Sequence, residues 1–271
     1  WPSMNILVSV NSGKEAKLAD QAGASWIDLK DPTAGPLGAA TPETQQLVLD
    51  ALQSSPAKRS LACGDLAQWL LLPCPPAPLA GFHFAKMGLS HLTSIACSRQ
   101  EPDGWRSVWY RWAGFLPAGC QPVVVSYADW ETCGGLALDE AIQFAATGAS
   151  PYVLIDTFFK NGKGLFSCLE RSTLFSHQAS VRDPDLPASG WNRIPYQVVA
   201  ALKHAARKGV QLVWAGQLDF AQARQLGAWG AEITGFRSAI CDGSRSGTIS
   251  PEKLRHALTL ENRTNTPRQA T

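Results

Sequence analysis

The chain has 271 residues, 45% of them hydrophobic and 17% charged, a composition that supports a large core. Its net charge of +2 provides no general basic field for nucleic acid and no acidic excess. No apolar run reaches the roughly 18 residues of a spanning helix and no secretory signal pattern opens the chain, so a cytoplasmic protein is expected, with no membrane or nucleic-acid partner.

The first apolar run is Asn5–Val10, preceded by Trp1-Pro2-Ser3, which reads as a cloning remnant before Met4. A helical pattern over Gly13–Ala22 follows and ends at Gly23, and Trp26–Leu29 is the second strand. Thr41-Pro42-Glu43 predicts a helix start, with Thr as cap, Pro in the first turn and an acid at the positive dipole end. Further strands are expected at Arg59–Cys63, Phe82–Met87, Pro122–Tyr127, Tyr152–Asp156, Gln211–Ala215 and Ile233–Arg237. Helices are expected from Pro195 to Gly209 and from Ser250-Pro251-Glu252 onward.

Eight strands alternating with helices predict an α/β fold, a (β/α)8 TIM barrel in a single domain over 4–260. A doubly wound sheet is the alternative, but the first strand is followed by V-N-S-G-K-E, not by G-x-G-x-x-G. The proline-rich stretch 66–81 predicts a stunted third helix. Residues 176–193 read as an inserted surface loop, and the polar residues 261–271 as a disordered tail. Seven cysteines without a C-x-x-C pair and five histidines without H-x3-H spacing point to free thiols and to no metal site. His83 reads as structural.

Chemistry in a barrel collects at the carboxyl ends of the strands. Those ends carry Asp28 and Lys30, Asp65, Lys86, Ser126 and Asp129, Asp156 and Lys160, Gly216-Gln217, and Arg237-Ser238. Alternation puts Asp28 and Lys30 on one side of their strand, facing the mouth. Any one of these could be a solvated charge or a structural ion pair. Three lysines with several aspartates on one rim favour a lysine whose pKa is lowered by neighbouring cations and burial. Such an amine attacks carbonyls to form a Schiff base, and a nearby Asp moves the protons. Gly216 and Ser238 stand where barrels commonly bind phosphate. Arg237 is either a phosphate clamp or an ion-pair partner in the barrel core. Lys163, in the Gly-rich turn 161–164, or the Gly35–Gly38 loop is a second candidate for an anion site.

The segments D-L-K-D-P at 28–32, G-P-L-G-A at 35–39, G-D-L at 64–66, K-M-G-L at 86–89, S-Y-A-D at 126–129, L-I-D-T-F-F-K-N-G-K at 154–163 and G-F-R-S-A-I-C at 235–241 together resemble the (5-formylfuran-3-yl)methyl phosphate synthase family of methanofuran biosynthesis. The likeness runs in order from about Asn5 to the last helix. It departs from the family pattern at Pro36, Gln217, Ser238 and Ile240. It implies a TIM-barrel lyase that condenses two molecules of glyceraldehyde 3-phosphate, with loss of phosphate and water and without a cofactor. It implies Lys30 as the Schiff-base lysine, with Lys86, Asp156, Lys160 and Asp28 as further catalytic residues. Lys163, Gly216, Arg237, Ser238 and Asp65 are then the candidates for substrate and phosphate binding. A lysine-dependent aldolase acting on a phosphorylated sugar and a phospho-ligand-binding barrel without turnover are the alternatives. A homo-oligomer is expected, since ten tryptophans leave material for an interface.

Overall fold

In the computed structural model the described residues are 4–69, 78–92, 104–176 and 192–262. Eight parallel strands close into a barrel in chain order: β1 (Asn5–Val10), β2 (Trp26–Leu29), β3 (Lys58–Asp65), β4 (Phe84–Gly88), β5 (Gln121–Tyr127), β6 (Tyr152–Asp156), β7 (Gln211–Trp214) and β8 (Ile233–Phe236). The last strand pairs with the first through Asn5–Val8 against Ile233–Phe236, so no sheet edge remains to be covered. Strands β1, β2 and β6 span the residues that their apolar runs predict. β3 is longer at both ends, and β4 starts two residues late, because Phe82 forms an isolated bridge with Ala80 instead of joining the ladder.

Local chemistry sets the helix ends. Ser12 Oγ accepts from Glu15 N at 3.3 Å and Thr41 Oγ1 from Thr44 N at 3.3 Å, each satisfying one orphan donor of a first turn. The helix Arg193–Arg207 stops before Gly209, whose φ of 69° suits a residue without Cβ. Of the third helix, the described residues hold Leu66–Trp69; the rest of the proline-rich stretch up to 77 lies outside them. The predicted inserted loop lies outside the described residues except at its two ends. At one end, Ser176 N and Oγ donate to Asp139 at 3.0 and 2.7 Å; at the other, Arg193 already opens a helix. The C-terminal helix corrects the expectation for the tail. It runs from Pro251 to Asn262, and the Glu261 carboxylate accepts from Ile6 N at 2.8 Å and Ser25 Oγ at 2.9 Å. That helix end is therefore bonded to the start of β1 and the loop before β2. The rest of the tail, 263–271, is outside the described residues.

Period-two alternation divides the strands between two cores. Ile6, Val8, Ile27, Leu29, Met87, Val124, Ile155 and Trp214 pack outward under the helices. Leu7, Trp26, Phe84, Val123, Val125, Leu154, Val213 and Ile233 fill the barrel interior. The lower interior is closed by three aromatics. Trp26 stacks on Phe84 at 5.1 Å, and Tyr152 meets both edge-on at 6.0 and 5.3 Å. Two residues further along the inward faces, Asp28 and Lys86 replace the rings of Trp26 and Phe84 while Leu154 follows Tyr152, so the interior changes from apolar floor to charged cavity within one pleat. His83 accepts from Arg59 N at 3.0 Å through Nδ1, a structural bond between β3 and the start of β4.

Candidate active site

The carboxyl ends of the strands open into one cavity of about 520 Å3, counted out to the solvent at its mouth. Its charged lining is Asp28, Lys30, Lys86, Asp156, Lys160, Arg237 and Arg245, and Gly216, Gln217 and Ser238 form the β7–β8 side. Of the ten residues singled out in the sequence, eight lie here. The two that do not are Asp65 and Lys163.

Asp28 is fully buried. It accepts from Ser9 Oγ at 3.1 Å and Ser60 Oγ at 2.8 Å, and forms an ion pair with the equally buried Lys86. Its partner is thus Lys86 on β4, and not the Lys30 two residues along its own strand. A carboxylate at this depth needs a counter-charge and several donors, and it has both. On the opposite wall Asp156, which ends β6, pairs with Lys160 at 2.5 Å and accepts from Thr157 N at 2.8 Å. Burial opposes ionisation of Asp156, but the Lys160 and Lys30 cations outweigh it and hold the carboxyl below its usual pKa.

Lys30 lies between these two pairs. Among the described residues it is the one lysine of the three that makes no ion pair. Its backbone is fixed, since its N–H donates to Val10 O at 3.0 Å. Part of the residue stays exposed at the mouth. Burial is nevertheless the largest influence on its ammonium and lowers the pKa from 10.5 to about 8. Asp156 and Asp28 pull the value up, and Lys160 and Lys86 push it down. At pH 7 the free amine is then ~300 times as abundant as on an ordinary lysine. This is an amine ready to attack a carbonyl carbon, with a carboxylate near enough to exchange protons.

The β7–β8 side presents backbone. Gly216 has φ of 98°, and a Cβ there would sit 3.1 Å from Thr157 Cγ2 and 3.2 Å from Thr157 N. Only glycine combines that turn with such close approach. Its carbonyl accepts from Leu165 N at 2.8 Å, which ties the turn to the helix after β6. Gln217 adopts φ of 56°, a left-handed conformation that a side chain strains, and it lines the cavity. Ser238 is half-buried at the start of a short 3-10 turn, Ser238–Ile240.

Arg237 resolves to the second of its two sequence readings. It pairs with Glu15 through Nη1, with a further bond of 3.3 Å from Nη2. Its other donors go to Ser9 O at 3.2 Å, Arg245 O at 2.8 Å and Gly247 O at 2.8 Å. All five N–H groups of the fork are spent on protein acceptors, so none is left for a phosphate. Asp65 faces elsewhere as well. It accepts from Tyr127 Oη at 2.8 Å and Ser90 N at 3.4 Å, and burial raises its pKa against the pull of the Tyr127 bond. Lys163 is exposed in a separate recess beside Asp129, Asn161 and Arg171. Asp129, also a strand-end acid, accepts from Phe158 N at 2.7 Å and Phe159 N at 3.0 Å and anchors the loop after β6.

Arg245 and Leu37 line the cavity without having been singled out. Both sit in loops whose path sequence periodicity does not report. Leu37 is 1% exposed inside a Gly/Pro loop, which turns it inward as the carbonyl of that residue accepts from Gly64 N at 2.8 Å.

Known structures show the same fold. Phosphoribosyl anthranilate isomerase from Thermus thermophilus superposes with a TM-score of 0.54 at 16% identity, covering 97% of this chain and 100% of that one. Thiamine phosphate pyrophosphorylase from Pyrococcus furiosus does so with 0.52 at 8% identity, covering 97% of each. By sequence, the chain is 23% identical over 252 residues to the (5-formylfuran-3-yl)methyl phosphate synthase of Archaeoglobus fulgidus, covering 92% of this chain and 95% of that protein. It is 26% identical over 253 residues to the synthase of the same name from Methanosarcina mazei, with the same coverage. The family described as 4-HFC-P synthase matches residues 6–189 and 195–258, a span that includes the barrel strands except Asn5 and every charged residue of the cavity described above; the chain belongs to the 4-HFC-P synthase family.

Proposed function

We propose that this barrel joins two molecules of glyceraldehyde 3-phosphate into (5-formylfuran-3-yl)methyl phosphate through a Schiff base on Lys30, as a lyase serving methanofuran biosynthesis in the cytoplasm. The observation that carries the reading is the unpaired Lys30 amine, with its pKa lowered to about 8, between the Asp28–Lys86 and Asp156–Lys160 pairs. A non-catalytic site has no use for an amine kept partly unprotonated at neutral pH.

The free amine of Lys30 attacks the aldehyde carbon of one triose phosphate. The carbinolamine takes up a proton and loses water to give an iminium ion, which makes the neighbouring C–H acidic. Asp156, kept ionised by Lys160, accepts that proton and leaves an enamine. The enamine carbon attacks the carbonyl of the second triose phosphate and makes the new C–C bond. Closure of the ring and release from Lys30 then expel one phosphate and two waters in all. Atoms balance without any net oxidation or reduction, so the scheme calls for no redox cofactor. Lys86 holds Asp28 beneath the reacting amine, and Lys160 adds positive charge where phosphate oxygens gather. The backbone turns at Gly216 and Ser238 offer N–H donors to one phosphate.

The test is the mass spectrum of the small molecules formed from glyceraldehyde 3-phosphate, with Lys30→Ala run beside the wild type. The expected product is a six-carbon furan aldehyde monophosphate, absent from the variant. A linear aldol adduct would replace the reading with that of a Schiff-base aldolase. Full turnover by Lys30→Ala would rule out the Schiff base.

A further inference from the structure

The segment after the 3-10 turn folds back on itself. Cys241 and Ile249 form an isolated antiparallel bridge, Asp242 N donates to Thr248 O at 2.9 Å, and Gly247 N donates to Ser244 O at 2.9 Å. Arg237 holds this hairpin from beneath, through its bonds to the carbonyls of Arg245 and Gly247. At its tip, the Arg245 side chain reaches over the cavity and donates from Nη2 to Gly35 O at 3.0 Å. Gly35 belongs to the loop that leaves β2 directly after Lys30. That loop is pinned in turn by Asp31 N donating to Gly38 O at 2.8 Å.

The two arginines of the cavity therefore differ in kind. Arg237 is buried, ion-paired and fully bonded. Arg245 is half-buried, makes no ion pair among the described residues, and has one hydrogen bond, to a neutral carbonyl. Asp156 and Asp31 attract its charge from a distance and Arg237 repels it. The Asp31 carboxylate is already engaged by Thr33 N at 2.8 Å and Thr33 Oγ1 at 2.7 Å. A guanidinium with open donors, aimed into a reaction cavity and fixed at its backbone, is built to meet a planar pair of anionic oxygens.

We propose that Arg245 is the phosphate-binding arginine of the site, gripping a phosphoryl group of the substrate, with Arg237 as the positioning residue that holds it there. The inference rests on the triose phosphate reading for its ligand, but its geometry is independent of the later steps. Binding at Arg245 also keeps the loop after Lys30 in place, because the same guanidinium bonds Gly35.

The experiment compares the wild type with Arg245→Gln, which keeps a donor for Gly35 O and removes the charge, and with Arg245→Lys, which keeps the charge and removes the fork. Lys30 is trapped by cyanoborohydride with either glyceraldehyde 3-phosphate or unphosphorylated glyceraldehyde, and the labelled peptide is quantified by mass spectrometry. In Arg245→Gln the concentration of glyceraldehyde 3-phosphate for half-trapping rises about tenfold or more, the loss expected for charge-assisted hydrogen bonds. Trapping by glyceraldehyde stays as in the wild type, and Arg245→Lys falls between. Equal changes for both aldehydes would make Arg245 a structural latch and overturn the proposal, as would no change for either. If the wild-type Lys30 is trapped by neither aldehyde, the Schiff-base reading fails on its own. Titration with inorganic phosphate in a calorimeter then decides: binding lost in Arg245→Gln upholds the anion site, and binding unchanged or absent from the wild type overturns it.

Discussion

The reactivity of Lys30 depends on charges of both signs, so two substitutions on the same wall should move it in opposite directions. Asp156→Asn removes an anion that stabilises the Lys30 ammonium and leaves the Lys160 cation uncompensated. Lys160→Met removes a cation that destabilises it and leaves the Asp156 anion facing Lys30. A unit charge about 5 Å away at an effective dielectric near 20 contributes ~3 kcal/mol, equivalent to ~2 pH units. Solvent at the mouth screens part of this, so about one pH unit is expected for each. The Lys30 midpoint, about 8 in the wild type, should fall in Asp156→Asn and rise in Lys160→Met. Competitive acetylation of Lys30 as a function of pH, read by peptide mass spectrometry, reports this without substrate. In the wild type labelling should climb through pH 8, because the reactive species is the free amine. Shifts of the same sign in both variants, or none in either, would show that burial alone sets the pKa and that the paired walls do not tune it.

Two further predictions concern residues assigned here to structure. Arg237→Met leaves Glu15 buried with only the Asn11 and Ile249 N–H donors; it should cost about 3–5 kcal/mol in urea unfolding, and the folded variant should lose phosphate dependence only as far as the Arg245 hairpin is released. Asp65→Asn keeps an acceptor for Tyr127 and should leave the KM for triose phosphate unchanged. Burial raises the Asp65 pKa, so the folded value lies above the unfolded one. Its protonation then supports the fold below the unfolded value of about 3.9, and that support is lost as pH rises through the folded value. The stability of Asp65→Asn relative to wild type should therefore increase between acid and neutral pH. A relative stability that falls over that range would contradict the assignment.

The fold was legible because each strand is a short apolar run bounded by caps and glycines, and eight such runs leave few alternatives to a closed barrel. Lys30, Asp28, Lys86, Asp156 and Lys160 were legible for a related reason: strand ends converge whatever the loops do. What sequence could not decide was pairing. Asp28 and Lys30 share a strand face, yet the counter-ion of Asp28 comes from β4, because alternation reports direction and not depth across the barrel. Arg237 is ambiguous for the same reason. Its partner Glu15 lies 222 positions away on the first helix, and only closure of β8 against β1 brings the two together. Arg245 carries no signal of its own, since an arginine in a Ser/Gly loop is usually a solvated charge. Its place follows from the carbonyl bonds that Arg237 makes to the hairpin.

The depth of each group follows from the layers of the barrel, and with it the division of labour. The lowest layer takes Trp26, Phe84, Tyr152 and Ile233 from the even strands, as expected when alternate strands fill alternate levels. Two residues higher on the same strands stand Asp28, Lys86, Leu154 and Gly235, and two higher again are Lys30, Gly88, Asp156 and Arg237. The first charged layer is thus closed below by rings and narrowed above by the next pleat, so Asp28 and Lys86 line the bottom of the cavity at 0% and 3% exposure. Buried so deeply, that pair acts as a fixed polar floor. Lys30 is one pleat nearer to solvent, where an amine can meet a substrate yet still lose enough hydration for its pKa to fall. Had the two charges of β2 been exchanged, the lysine would lie under the floor, with a counter-ion and no access, and the mouth would present a carboxylate in place of a nucleophile. The order Asp-Leu-Lys along one strand, more than the presence of either residue, makes this end of the barrel capable of carbonyl chemistry.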